Sequence, residues 1–125
     1  MVEYEDRVLI DTNVIIYILS GNESLAEMIH SKIVYLSVIS ELELLSFPGL
    51  TRNEEFIINS FLDGMTILDI NDAIKSETKR IGRTSKLKLP DAIVAATSSY
   101  LNCPLMTGDK SFQRLTDLDV RIISN

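Results

Sequence analysis

Val8-Leu9-Ile10-Asp11-Thr12-Asn13 is an apolar run that ends abruptly on a carboxylate and two small polar side chains. Its apolar part does not alternate with polar residues, which predicts a strand buried on both faces of a parallel sheet. Ile33-Val34-Tyr35-Leu36 and Pro104-Leu105-Met106 read the same way, and Thr66-Ile67-Leu68 and Val120-Arg121-Ile122-Ile123 add two less apolar candidates. Segments of helical period lie between them, at about residues 13–19, 23–32, 38–47, 52–63, 71–84 and 90–101. Pro90 suits the first turn of the last helix, and Ala92, Ala95 and Ala96 let that helix lie close on a sheet. Short strands alternating with helices predict an α/β protein, a helix-covered parallel sheet of about five strands. No repeat, low-complexity tract or Pro/Gly-rich linker interrupts the pattern, so residues 1–125 read as one domain.

Composition sets outer limits. A chain of 125 residues, 46% hydrophobic and 24% charged, is expected to bury roughly two-thirds of its unfolded surface and to be ordered. Its longest apolar run, Val14 to Leu19, has six residues, against about 20 for a membrane-spanning helix. The start Met1-Val2-Glu3-Tyr4-Glu5-Asp6 is acidic, where a secretory signal needs basic and then apolar residues. A cytoplasmic protein without membrane contact is the expectation. The single cysteine, Cys103, excludes an intrachain disulfide and a cysteine zinc site, and is read as a packing residue. The single histidine, His30, falls near a predicted helix end, where a contact with the helix dipole accounts for it. The five glycines are scattered and form no phosphate loop.

The net charge of −6 argues against a polyanionic partner until its distribution is read. Six of the 12 basic residues, Lys75, Lys79, Arg80, Arg83, Lys86 and Lys88, fall in a 14-residue stretch whose only acid is Glu77. Segregated charge allows one face to attract phosphates while another holds cations; a solvated helix face is the plain alternative.

The carboxylates follow from the fold. Binding crevices of parallel α/β sheets lie outside the carboxyl ends of the strands. Asp11 directly follows the first strand and Asp109 lies just past Pro104-Leu105-Met106-Thr107-Gly108, so both emerge at that edge. Glu41, Glu43 and Asp91 lie near the starts of helices that rise from it. Glu41 and Glu43 are about 200° apart on a helix, so only one faces the crevice. Two unit charges about 6 Å apart repel by roughly 3 kcal/mol at an effective dielectric near 20. Four acids in one crevice therefore call for protonation, basic partners or a divalent cation. With no His or Cys beside them, Mg²⁺ or Mn²⁺ fits the donors better than zinc. Carboxylate-held ions of this kind activate water against phosphoesters. Asp91, one residue after Pro90, also has an ordinary role as a helix-start acid, and Asp109 as a turn or N-cap residue.

These stretches together resemble the motifs of PIN-domain ribonucleases, especially VapC-type toxins. Val8-Leu9-Ile10-Asp11-Thr12-Asn13 is similar to the opening motif. Ser37-Val38-Ile39-Ser40-Glu41-Leu42-Glu43 is similar to the second, with its acid six residues after the serine, a register that selects Glu43. Leu89-Pro90-Asp91-Ala92-Ile93-Val94-Ala95-Ala96-Thr97 and Met106-Thr107-Gly108-Asp109-Lys110-Ser111-Phe112 resemble the third and fourth. The acids stand 32, 48 and 18 residues apart. Each motif is weak alone; four in order over residues 7 to 123 are a strong signal.

The resemblance implies a three-layer α/β/α sandwich, a Mg²⁺- or Mn²⁺-dependent endoribonuclease leaving 5′-phosphate and 3′-hydroxyl ends, and a homodimer. It implies a cognate antitoxin protein that covers the crevice. Asp11, Glu43, Asp91 and Asp109 correspond to the family's acids, as metal ligands and catalytic residues. Thr12, Asn13, Ser40 and Thr107 are expected to orient them or to hold water. Ser111 stands where the family often has a further acid, which bears on whether one metal or two are held. Lys75, Lys79 and Arg83, on one helix face, are expected with Lys86 and Lys88 to contact RNA phosphates leading toward Asp91.

Two other readings stand beside this one. A phosphotransfer domain of the receiver or haloacid-dehalogenase type also binds Mg²⁺ on a doubly wound sheet. The receiver, however, expects paired acids near the first strand, and the phosphatase expects Asp at the position of Asn13. A catalytically silent PIN-like module that binds RNA or protein is the second; the presence of all four acids weighs against it.

Overall fold

The computed structural model describes residues 3–125. Strands β1 (Arg7–Ile10), β2 (Ile33–Ser37), β3 (Thr66–Leu68), β4 (Leu105–Thr107) and β5 (Val120–Ile122) form one sheet in the order β3-β2-β1-β4-β5. Every neighbouring pair is parallel. Helices α1 (Thr12–Leu19), α2 (Glu23–His30), α3 (Val38–Leu45), α4 (Arg52–Leu62), α5 (Asp72–Thr84) and α6 (Leu89–Leu101) fill the connections. Short 3-10 turns precede β1 (Tyr4–Asp6) and follow β4 (Lys110–Arg114).

The strands and helices stand where the apolar runs predict them. β4 begins at Leu105 rather than Pro104, because proline has no N–H for the ladder: Leu105 donates to the Asp119 carbonyl at 2.9 Å, while Pro104 only accepts, from Leu9 at 2.9 Å. Helices α2 and α3 each stop two residues earlier than expected, at His30 and Leu45. After α2, a turn closed by Lys32 N–H on the Ile29 carbonyl delivers the chain straight into β2.

β1 is the central strand, and Val8, Leu9 and Ile10 are each 0% exposed. Its alternation divides the core. Val8 and Ile10 pack with Val14, Ile15, Leu25, Leu44 and Ile58, from α1 to α4. Leu9 packs on the other face with Ile74, Ile81, Ala95, Ala96 and Phe112, from α5, α6 and the turn after β4. Helices therefore cover both faces, and the fold is the α/β/α sandwich. Because Ala92, Ala95 and Ala96 carry only methyl groups, α6 can seat directly on the sheet, where they are 1%, 0% and 0% exposed.

The path of the chain positions the site. It moves outward from β1 through β2 to β3, then returns by α5 and α6 to place β4 on the other side of β1. Crossovers keep one hand, so reversing direction requires the connecting helices to change faces. The reversal opens a crevice between the carboxyl ends of β1 and β4. Asp11 and Asp109 leave the sheet at that crevice. No helix among the described residues is long and apolar enough to cross a membrane.

Candidate active site

Asp11 is the first residue beyond β1, where its N–H still bonds the Met106 carbonyl of β4 at 3.0 Å. It is also the N-cap of α1, its Oδ1 accepting the Thr12 N–H at 2.8 Å. Oδ2 accepts the Thr107 hydroxyl at 2.8 Å and, more loosely, the Asn13 amide at 3.5 Å. The residue is 6% exposed. Burial raises its pKa above the ordinary value, the Thr107 and Thr12 hydrogen bonds pull it back, and the charges of Glu43 and Asp109 raise it further.

Glu43 reaches the same place from α3. Its Oε1 accepts the Thr12 hydroxyl at 2.7 Å, tying the start of α1 to α3. Glu41, two residues earlier on the helix, makes no such bond among the described residues. Asp109 caps the 3-10 turn after β4 by accepting the Ser111 N–H at 2.9 Å. Its own N–H donates to the Thr107 hydroxyl at 3.1 Å, so one buried hydroxyl bridges the Asp11 carboxylate and the Asp109 backbone. Asn13 completes the frame by accepting the Gly108 N–H at 2.7 Å. Any side chain at 108 would collide here: a Cβ there would lie 2.7 Å from the Tyr17 hydroxyl and 3.3 Å from Asn13 Oδ1.

Asp91 enters from the first turn of α6 and makes no hydrogen bond among the described residues. Its pKa is raised, first by burial and then by the charges of Asp11, Asp109 and Glu43; nearby Lys88 lowers it. This mutual influence places all four acids in one electrostatic cluster. None of them forms a salt bridge with a Lys or Arg among the described residues.

The donors are carboxylate oxygens with no imidazole or thiolate, the chemistry that hard divalent cations take. No salt bridge among the described residues neutralises their like charge, which gives a cation a reason to bind. In the arrangement seen, however, no group of three His, Cys, Asp or Glu among the described residues is set to hold an ion. Asp11, Glu43 and Asp109 are instead turned onto Thr12, Thr107 and the Ser111 amide. Seating a cation therefore requires these side chains to turn from those partners.

The neighbours expected around the acids are placed unequally. Thr12, Asn13 and Thr107 bond to the acids or to the turn that carries Asp109. Ser40 is 0% exposed, and its hydroxyl has no partner among the described residues.

The basic stretch divides in two. Lys86 and Lys88 line a groove of about 350 Å³ together with Asp91, Asp109, Ser111 and Arg114. Lys79 and Arg83 line a separate depression with Ser76, Arg80 and Thr84, and Lys75 lies 4.0 Å from Asp72. Arg80 is engaged by Glu77 and, at 3.1 Å, by Asp117. Sequence reasoning did not single out Arg114, Tyr17 or Gly108. Arg114 comes to the groove because the chain makes a 3-10 turn after Asp109; the N-cap role open to Asp109 marks where that turn starts, but not which side chain it brings to the groove. On the opposite flank, Thr12, Ile16, Glu43, Phe47, Pro48 and Ile58 line a larger apolar groove of about 600 Å³. Phe47, 69% exposed, stands open at its rim.

Comparison with known proteins agrees with this geometry. Residues 8–118 match the family model described as "PIN domain". No curated protein matches the chain at a significant level. Among solved structures, a toxin–antitoxin complex from Klebsiella pneumoniae holds a chain 25% identical, with TM-score 0.79, the match covering 91% of this chain and 95% of that one. VapBC-1 from nontypeable Haemophilus influenzae is similar at 24% identity and TM-score 0.81, over 93% and 97% of the two chains. VapBC2 from Rickettsia felis, bound to a DNA fragment from its promoter, reaches TM-score 0.85 at 17% identity, over 94% and 99%. With a family model covering most of its length and the fold of the VapBC structures, the chain belongs to the PIN-domain family.

Proposed function

We propose that this protein is a metal-dependent endoribonuclease of the VapC type, the toxin of a toxin–antitoxin pair. The single observation that carries the reading is the cluster of Asp11, Glu43, Asp91 and Asp109, none of them in a salt bridge among the described residues, at the reversal point of a PIN-domain sheet. Asp11, Asp91 and Asp109 would hold Mg²⁺ or Mn²⁺, with Glu43 contributing directly or through water. The chemistry such a cation supplies when bound is acidification of water and neutralisation of charge on phosphate.

The chain's own residues do the rest. Thr107 and the Thr12 N–H aim Asp11 and favour its charged form against the cost of burial. The Thr12 hydroxyl holds Glu43 against α1. Asn13 fixes the Gly108 peptide and thereby the turn that presents Asp109. Of the four acids, Asp91 alone has a carboxylate with no hydrogen bond among the described residues, which leaves it free to adjust as substrate arrives. Lys86 and Lys88 flank the acids and would draw phosphates to them, with Lys75, Lys79 and Arg83 attracting more distant parts of the strand.

The apolar groove beginning at Thr12 and Glu43 supports an antitoxin partner, because a segment lying in it would end over the acids. The likeness to VapBC and other toxin–antitoxin complexes supports the same assignment. A homodimer and a cytoplasmic setting belong to the proposal on family grounds.

The test is the chemistry of the ends. Hydrolysis by activated water leaves 5′-phosphate and 3′-hydroxyl ends on a labelled RNA, which ligation and phosphatase treatment identify. Products with 2′,3′-cyclic phosphate would show attack by the ribose hydroxyl and overturn the proposed mechanism.

A further inference from the structure

We propose that the groove between the start of α6 and the 3-10 turn Lys110–Arg114 is a phosphate subsite in which Arg114 and Ser111 hold the backbone phosphate next to the one being cut. The proposal rests on the ribonuclease reading above and adds to it two residues and a specific ligand group. Lys86, Lys88 and Arg114 line this groove together with Asp91 and Asp109. None of the three cations is paired with a carboxylate among the described residues. One amine of the Arg114 guanidinium, Nη1, donates to the Lys86 carbonyl at 3.2 Å, which anchors the fork and leaves its other donors open.

Ser111 gives an independent sign. Its N–H is used by Asp109, but its hydroxyl is buried and has no partner among the described residues. Buried hydroxyls are ordinarily satisfied, and Ser111 is one of the residues that line the groove. α6 points the same way: α1 to α5 each have a side chain accepting a first-turn N–H, whereas α6 has none at Lys88. A first turn without a cap favours an anion. A planar guanidinium fork, two point charges and a hydroxyl donor together match phosphate oxygens. The acids repel a phosphate while the three cations attract one, so the cations take a neighbouring phosphate of the same strand.

Equilibrium binding of a fluorescein-labelled single-stranded RNA in EDTA, followed by anisotropy against salt, tests this without cleavage. Arg114 is exposed, so Arg114→Gln is expected to keep the melting temperature of the parent. It should weaken binding about tenfold and flatten the log–log salt dependence by about 0.7. Ser111→Ala should weaken binding about threefold and leave the salt slope unchanged. In a set of RNAs with one phosphate at a time replaced by methylphosphonate, the parent should show a penalty at an internal position that Arg114→Gln no longer shows.

A penalty confined to a 5′-terminal phosphate would overturn the backbone assignment in favour of an end-binding pocket. Unchanged affinity and slope in Arg114→Gln, with the parent still cleaving RNA in Mn²⁺, would overturn the subsite and spare the ribonuclease reading. A parent that neither binds nor cleaves RNA would overturn both.

Discussion

Replacing Asp91 by Asn should make the protein more stable while removing its activity. Asp91 is half-buried in the first turn of α6 and is repelled by Asp11, Asp109 and Glu43. For carboxylates taken as about 7 Å apart, each pair repels by roughly 1 kcal/mol at an effective dielectric near 40, and partial exposure reduces that by about half. The helix N-terminus returns about 0.3–1 kcal/mol to the charged form. The Asn variant should therefore gain about 1 kcal/mol at neutral pH in EDTA, a rise in melting temperature of about 3–5 °C. The sign with pH is fixed by the direction of the shift. Because the folded-state pKa of Asp91 lies above its ordinary 3.8, its protonation favours the fold. That stabilisation is full below the unfolded value and is lost as pH rises through the folded one. The advantage of Asn should thus be present at pH 7 and close as pH falls toward 3.8. Mn²⁺ should reverse the order, since an ion at about 100 times its Kd stabilises the parent by about 2.7 kcal/mol. Thermal melts of both proteins, in EDTA and in Mn²⁺, read all of this. An Asn variant less stable than the parent in EDTA, or equal shifts of both proteins by Mn²⁺, would refute the reasoning.

Other substitutions probe the frame of the site. Thr107→Val keeps the shape of a buried side chain but removes the hydroxyl that serves Asp11 and the Asp109 N–H; a loss of about 2–3 kcal/mol in denaturant unfolding is expected, with weaker Mn²⁺ binding by calorimetry. Gly108→Ala forces the Tyr17 hydroxyl and Asn13 to give way, so RNA cleavage should fall about tenfold or more while stability changes by less than about 1 kcal/mol, because the Tyr17 ring end can move. Ala95→Leu, at a position 0% exposed between α6 and the sheet, should cost about 1–3 kcal/mol by denaturant titration through overpacking alone.

The parts of this molecule legible in its sequence are those where one residue type has one job. Val8-Leu9-Ile10 had to be a doubly buried strand, and the acid that follows it had to emerge at the sheet edge. Pro90 and the alanines of α6 marked a helix start and a close packing face. The choice between Glu41 and Glu43 was not legible from periodicity, which says only that they face different ways. It took the motif register, and the Thr12 hydroxyl is the physical contact that holds Glu43 inward. Asp109 shows why a capping role and a place in the cluster are not exclusive, since it caps a turn and still stands among the acids. The basic helix was legible as a face but not as a location. Its spacing groups Lys79 with Arg83, yet nothing local tells that they open onto a depression apart from the acids while Lys86 and Lys88 border them. Arg114 was hidden for the same reason: tertiary path, rather than local pattern, brings it to the groove.

The most direct test of the metal-dependent ribonuclease account is cleavage of a labelled RNA by the purified protein in Mn²⁺ and in EDTA, with Asp91→Asn prepared identically beside it. The account predicts cleavage by the parent in Mn²⁺, none in EDTA, and none by the variant in either. Cleavage that persists in EDTA, or in Asp91→Asn with Mn²⁺, would contradict it.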